Sequence, residues 1–283
     1  VANTGTLLIV LYNKEISDSS TYHSLINYAG SLQTVDLLIW NNGPNEISKH
    51  LDEKDTQKFK SVTIREDLSN AGLAKIYNYA LGFRQNDYCI FLDDDSDLST
   101  DYIESVLKTD RTACAVPILT HNGAVQSPTL KKMKVEGTTL PEDRSRFRAV
   151  GSGVAVGTSV AHKLRATYGS VFDEHFLLYG VDTTFFIRLE RAGLLEHLCV
   201  IPGFEHSYSR LSTEPDAISD FRKKERAYDE GLRARYYKSK SSLIVYTIRT
   251  GLKSLKNRLY GREDLEGYIF KAIMTGKHYR DKQ

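Results

Sequence analysis

Tyr88-Cys89-Ile90-Phe91-Leu92-Asp93-Asp94-Asp95 is the stretch that decides how this chain is read. Five consecutive apolar residues read as a strand buried on both faces, and three carboxylates end it abruptly, with Asp97 close behind. An unpaired carboxylate is costly to bury, so the cluster belongs at the open end of a sheet, in a crevice. Hard divalent cations take oxygen ligands, and one that holds a diphosphate uses only one or two protein carboxylates. An Asp-x-Asp at a strand end meets that need. The competing reading is a solvated turn, with Asp97 capping the helix that follows.

Outward from this strand, apolar runs alternate with helical patterns. Thr6–Leu11, Val35–Trp40, Ser61–Ile64 and Ala113–Ile118 read as strands, and Ser19–Tyr28, Asn70–Phe83 and Thr100–Leu107 as helices. This spacing predicts βαβ units and an α/β fold with a mainly parallel, Rossmann-like sheet, whose ligands bind beyond the carboxyl ends of the strands. The turn Asn41-Asn42-Gly43-Pro44 and the aspartates both fall there. After residue 120 the pattern changes. His121-Asn122-Gly123-Ala124 reads as a hairpin turn, and Lys131–Arg148 as an irregular, mobile loop. Thr158–Tyr168 is a helix, the stretch Gly180-Val181-Asp182-Thr183-Thr184 opens a second one that runs through Arg191, and Leu195–Ile201 is a last strand before Glu205-His206. Helices fill most of 214–283.

The 283 residues suffice for one large α/β domain with an extension. Cys89, Cys114 and Cys199 lie in apolar, strand-like runs and read as reduced core residues, which favours a cytoplasmic compartment. The start shows no signal-peptide pattern, and no apolar run reaches the length of a membrane span. Net charge is only +2, but residues 222–283 hold 17 Lys+Arg against 7 Asp+Glu. A basic tail on an acidic body points to an anionic partner, or to a solvated helical extension. Within it Val245, Ile248, Leu252, Leu255 and Leu259 form a narrow apolar stripe flanked by Arg249, Lys253 and Lys256. Such a helix lies on a membrane, docks back on the catalytic domain or meets a second subunit in a homo-oligomer. No nucleic-acid partner is expected.

Taken in order, the motifs resemble the nucleotide-sugar-dependent glycosyltransferases of the GT-A fold, bacterial family 2. They are Tyr12-Asn13, Asn41-Asn42-Gly43, Asn70-x-Gly72 with Asn78, Leu92-Asp93-Asp94-Asp95, Gly151-Ser152-Gly153, Phe172-Asp173-Glu174, Asp182 and His206. Val181-Asp182-Thr183 looks closest to the rhamnosyltransferase-like branch, where the next position is usually acidic; here it is Thr184. The resemblance covers roughly residues 6–210. It implies a GT-A catalytic domain over 1–213, its nucleotide-sugar half at about 1–120 and its acceptor half at about 121–213. Residues 214–283 form a basic helical extension.

The resemblance further implies an inverting enzyme that uses Mn²⁺ or Mg²⁺. Its donor is dTDP-rhamnose or a UDP-hexose, and its acceptor a glycan or lipid-linked glycan of a bacterial surface polysaccharide such as lipopolysaccharide. It would work in the cytoplasm or peripherally on the inner face of the membrane. Asp95 and His206 would ligate the metal, with Asp93 as a third ligand or a contact to ribose or base. Asp94 would contact ribose. Asp182 would be the general base, or merely a helix cap with a depressed pKa, and Asp173 its rival or an organiser of the acceptor loop. Tyr12 and Asn42 would flank the base, and Asn70, Gly72, Lys75 and Asn78 would line the donor site at a helix start. Gly151, Ser152 and Gly153 would let the chain pass close to sugar or acceptor. A sugar-1-phosphate nucleotidyltransferase would want a glycine-rich loop after the first strand, and Leu11-Tyr12-Asn13-Lys14-Glu15 has no glycine. A receiver-like module explains an acidic strand end but not Asp182 and His206, and an inactive carbohydrate-binding relative stays open.

Overall fold

All seven residues of the first strand, β1 (Gly5–Leu11), are buried, as befits a strand with helices on both faces. Its alternate residues serve two cores. Leu8 and Val10 face one apolar cluster, whereas Leu7, Ile9 and Leu11 face the other. The computed structural model describes residues 3–206 and 216–281.

From β1 the chain runs through α1 (Ser20–Asn27), β2 (Leu32–Asn41), the single turn α2 (Glu53–Thr56), β3 (Phe59–Glu66) and α3 (Leu73–Phe83). It then enters β4 (Tyr88–Asp93), β5 (Ser96–Asp97), α4 (Thr100–Val106) and β6 (Cys114–His121). A hairpin leads to β7 (Ala124–Ser127), closed by Asn122 and Gly123 at φ 50 and 73°, the positive values such a turn demands. After β8 (Thr129–Leu130), β9 (Met133–Lys134) and β10 (Phe147–Arg148) come β11 (Ala155–Gly157), α5 (Thr158–Tyr168), α6 (Val181–Arg191) and β12 (Leu198–His206). Three helices follow: α7 (Asp216–Tyr237), α8 (Lys240–Leu259) and α9 (Leu265–Thr275).

The main sheet has the order β3-β2-β1-β4-β11-β6-β12-β5, with β7 paired to β6. β1 is parallel to β2 and β4, and β12 to β6, while β11 inserts antiparallel between β4 and β6. This is the expected α/β, mainly parallel sheet with a helical C-terminal extension. The extension is not an appendage, because Tyr228 and Leu232 of α7 and Ala272 of α9 belong to the core beneath α3 and α6. Among the described residues no helix is long and apolar enough to cross a membrane.

Four sequence expectations need correction. Asp97 caps nothing: it pairs with Glu205 in the ladder between β5 and β12, and Ser99 caps α4 by accepting the Tyr102 N–H at 3.1 Å. Segment 131–148 is not irregular throughout, since β8, β9 and β10 form a small sheet. Phe147 is fully buried, and Arg144 donates to the carbonyls of Leu195, Glu196 and Leu198. The last strand does not stop at Ile201. It passes through a register shift between Ile201 and Phe204 and carries on to His206. Cys199 is exposed, unlike buried Cys89 and Cys114, though all three are free thiols.

That register shift depends on Gly203, where an added Cβ would stand 1.6 Å from the carbonyl oxygen of Ile118. Gly203→Ala should therefore lower stability by roughly 3 kcal/mol, as overpacking against backbone does. Gly82→Ala, on an exposed turn of α3 with nothing near its Cβ, should raise it by about 0.5–1 kcal/mol. Urea unfolding midpoints of the two variants check both signs.

Candidate active site

β4 delivers its carboxylates onto the N-terminus of α1. The Thr21 hydroxyl donates to the Asp93 carbonyl at 2.6 Å and accepts the Ser96 N–H at 2.9 Å, and the Ser19 hydroxyl donates to the Asp94 carbonyl at 2.8 Å. The acidic turn is thus pinned at both ends, and its three side chains have different surroundings. Asp94 is an ion-pair partner, 2.7 Å from the Lys14 ammonium and 3.4 Å from the backbone nitrogen of Tyr12. Asp95 has a buried Oδ1 without a hydrogen-bond partner. Asp93 is recessed but 39 % accessible; desolvation, then repulsion from Asp95, Asp182 and Asp94, pushes its pKa up to about 8.

The ladder between β5 and β12 sets His206 opposite Ser96, one residue past Asp95. Its Nδ1 lies 3.3 Å from the Ser96 hydroxyl, and its Nε2 lies 3.8 Å from Asp93 Oδ2. Burial lowers its pKa, which favours the neutral, ligating imidazole. Ligand atoms of Asp93, Asp95 and His206 all lie within 4.8 Å of one another. Two carboxylates, an imidazole and an orphaned buried oxygen suit Mn²⁺ or Mg²⁺, so this donor set fits the expected ion.

Asp182 joins the same crevice from α6. Gly180, not Asp182, is the residue preceding the helix, in the left-handed conformation at φ 83°. Nor is the Asp182 pKa depressed, as a cap's would be. Desolvation, with repulsion from Asp229 of α7, raises it to about 6 against a counteracting hydrogen bond from the Gly151 N–H. A Cβ on Gly151 would stand 2.4 Å from Asp182 Oδ1, so glycine is needed for this approach. The next residue, Ser152, accepts the Asp93 N–H at 3.3 Å and lies 3.2 Å from the Ser96 hydroxyl. Gly153 donates to the Phe91 carbonyl at 2.6 Å. Gly151-Ser152-Gly153 is thus the joint that holds Asp182 against the acidic strand end.

The other candidates divide between open crevice and scaffold. Tyr12 is 51 % exposed beside the aspartates. Asn42 donates to the Ala71 carbonyl at 3.0 Å and keeps a buried Oδ1 without a partner, while Asn70 sits in a turn at φ 55°. Gly72 precedes α3, where a Cβ would strike Leu177, and Lys75 is exposed. Asn78 faces the chain itself, accepting the Phe172 N–H and donating to the Phe172 carbonyl and Glu174. Asp173 is 4 % exposed and saturated by Arg188 at 3.0 Å, the Tyr237 hydroxyl at 2.6 Å and His175 at 2.6 Å. These contacts hold its pKa down at about 2 despite burial. Thr184, where the rhamnosyltransferase-like branch usually has an acid, is fully buried and donates to the Gly180 carbonyl at 2.7 Å, which leaves no room for a solvated carboxylate.

Several contributors carry no motif. Lys14 neutralises Asp94, and Tyr77 is buried where both Asp93 and Asp182 raise its pKa further, after desolvation. Thr21, Ser96 and Asp229 reach the site from α1, β5 and α7. Only Lys14, two residues past Tyr12 at a strand end, had a signal in the sequence.

The profile described as "Glycosyl transferase family 2" matches residues 6–158, more than half of the chain. The chain belongs to glycosyl transferase family 2. It is a glycosyltransferase, and its sheet, with an antiparallel strand between β4 and β6, is the GT-A arrangement. Over 124 residues it is 24 % identical to the minor teichoic acid biosynthesis protein GgaB of Bacillus subtilis (strain 168). That match takes in 42 % of this chain and only 14 % of the relative. Among solved structures, S. aureus TarS aligns over 82 % of this chain and 39 % of its own, with 12 % identity and a TM-score of 0.49. GalNAc-T7 with UDP, GalNAc and Mn²⁺ aligns over 83 % of this chain and 52 % of its own, with 15 % identity and a TM-score of 0.47.

The Asp173 knot ties the loop before α6 to α7, and its removal is measurable. Its folded pKa of about 2 lies below the ordinary 3.8. The stability it adds, on the order of 2 kcal/mol, is complete above the ordinary value and is lost as pH falls through about 2. Urea midpoints between pH ~5 and ~2 should fall less steeply in Asp173→Asn than in the unmodified protein. Arg188→Met should cost more, about 3–5 kcal/mol near neutral pH, because it leaves Asp173 charged and buried.

Proposed function

We propose that this family 2 glycosyltransferase is a metal-dependent, inverting enzyme. It moves a sugar from a nucleoside-diphosphate donor, dTDP-rhamnose or a UDP-hexose, to a growing bacterial surface glycan. The observation that carries the proposal is the convergence of Asp93, Asp95 and His206 within 4.8 Å, beside an Asp182 held by Gly151. The similarity to a protein named for minor teichoic acid biosynthesis supports a cell-wall polymer, free or lipid-linked, as the acceptor. In this reading residues 1–213 are the catalytic unit and 214–283 its helical extension. Work proceeds on the cytoplasmic face of the membrane, where such an acceptor is presented.

Each side chain has a distinct role. Asp95, His206 and Asp93 would hold Mn²⁺ or Mg²⁺, which would supply charge neutralisation at the diphosphate. Tyr12 and Asn42 receive the nucleotide base, with Asn70 and Gly72 shaping the turn beneath it. Lys14 holds Asp94 aside for the ribose. Asp182 accepts the proton of the acceptor hydroxyl as that oxygen bonds to the anomeric carbon. The bond from that carbon to the diphosphate breaks on the opposite face, and the nucleoside diphosphate leaves with the electron pair. A pKa of about 6 suits this work: the carboxylate is largely ionised near neutral pH and remains more basic than an ordinary aspartate. Asp173, Asn78 and Gly153 keep the acceptor half in register and touch no substrate.

Two variants separate binding from turnover. Asp95→Ala should abolish the Mn²⁺-dependent rise in melting temperature with UDP or dTDP. Asp182→Asn should keep that rise and lose about 10²–10⁴-fold in transfer rate. Near-normal turnover by Asp182→Asn would remove it from the mechanism. Absence of any nucleotide effect on the unmodified protein would remove the donor class.

A further inference from the structure

The amphipathic helix α8 is mounted the opposite way from an ordinary surface helix. Thr250, Ser254 and Asn257 are its buried residues. Ser254 donates to Asp264 at 2.8 Å and Asn257 to Glu266 at 2.7 Å, so polar bonds fix the inner face to α9 and the turn before it. The apolar stripe points outward. Ile244, Val245, Ile248, Leu252, Leu255 and Leu259 are between 56 and 75 % exposed. Six large aliphatic residues in one contiguous exposed row is not the scattered exposure of a normal surface. It also rules out the stripe docking back on the catalytic domain.

Charge around the stripe is one-sided. At ~100° per residue the stripe fills an arc of about 100°, and the buried residues lie diametrically opposite. Arg249 and Lys256 flank the stripe on one side, and Lys240 and Arg258 on the other, each about 90° from its centre. α8 contains five basic residues and no acidic one. Although Arg258 pairs with Asp264 and Lys253 with Glu266, Lys240, Arg249 and Lys256 are in no ion pair among the described residues. We propose that α8 is a membrane-docking helix that lays this stripe into the headgroup region of an anionic lipid surface. Long basic side chains at the edges of a buried apolar face reach back to lipid phosphates. Each one not already paired with a carboxylate strengthens attachment by about fivefold near an anionic surface. A second copy of the chain fits less well. The stripe is ~22 Å long and one helix wide, roughly 200–300 Å² per partner against the ~800 Å² of a standard interface. A two-fold contact would also set the three unpaired positive charges of Lys240, Arg249 and Lys256 against their copies. The proposal rests on the glycosyltransferase reading only for its purpose, which is to meet a lipid-linked acceptor.

Co-sedimentation of the full chain with vesicles tests it. The unmodified protein should pellet with phosphatidylglycerol–phosphatidylcholine vesicles, and bind at least tenfold more weakly to phosphatidylcholine alone or in high salt. The I248Q/L252Q/L255Q variant keeps helix-forming residues at exposed positions. It should lose at least tenfold in vesicle affinity with its melting temperature and UDP binding unchanged. Failure of the unmodified protein to pellet, or equal binding by the variant, would overturn the proposal. So would a dimer in light scattering that the variant converts to monomer without vesicle binding. Loss of UDP binding in the unmodified protein would instead count against the donor reading and leave the vesicle result standing.

Discussion

Like charges crowded at the carboxyl end of one strand are the constraint around which this molecule is built. Asp93, Asp94, Asp95 and Asp182 share a crevice in which desolvation disfavours the charge of Asp93, Asp94 and Asp182, and Asp93 responds with a pKa of about 8. Among the described residues only Asp94 of the four has a Lys or Arg ion-pair partner, Lys14. Such a cluster is stable when protons or a divalent ion balance it, and repulsive otherwise. The sheet adds His206 to this cluster, brought to Asp93 by a two-residue ladder of Ser96-Asp97 against Glu205-His206, which completes the donor set proposed to hold an ion. Stability and function therefore meet at the same atoms.

Holding repelling groups in place takes rigid support, and it comes from elements distant in sequence. Thr21 and Ser19 anchor the acidic turn from α1. Gly151-Ser152-Gly153 stitches Asp182 and Asp93 to one short segment just ahead of β11. Asp173, Arg188 and Tyr237 close a buried knot between the loop before α6 and the end of α7. Asp229 of α7 raises the pKa of the proposed base. The extension thus has two faces with separate tasks: α7 braces the chemistry, and α8 turns an apolar edge to the outside.

What the sequence revealed and what it hid divide along physical lines. The buried run Tyr88–Leu92 and its abrupt acidic end were legible because burial on both faces and the cost of buried charge act locally. The parallel sheet followed from alternating periods, and the Asn122-Gly123 hairpin from the positive φ its residues tolerate. Features set by long-range pairing were not legible. Asp97 looks like a cap, and becomes a ladder residue only because β12 arrives beside it. Asn78 and Asp173 have the look of ligands, yet their polar atoms are taken by chain segments that no spacing predicts. The stripe on α8 was visible as a period, but periodicity identifies an apolar face without saying which way it points.

Pulsed electron paramagnetic resonance of Mn²⁺ bound in the presence of UDP tests the central claim most directly. If Asp93, Asp95 and His206 hold the ion, the unmodified protein should bind one Mn²⁺ with a ¹⁴N coupling from the His206 imidazole. His206→Ala should lose that coupling, and Asp95→Ala the bound signal itself. Absence of bound Mn²⁺, or a nitrogen coupling that survives His206→Ala, would contradict the account.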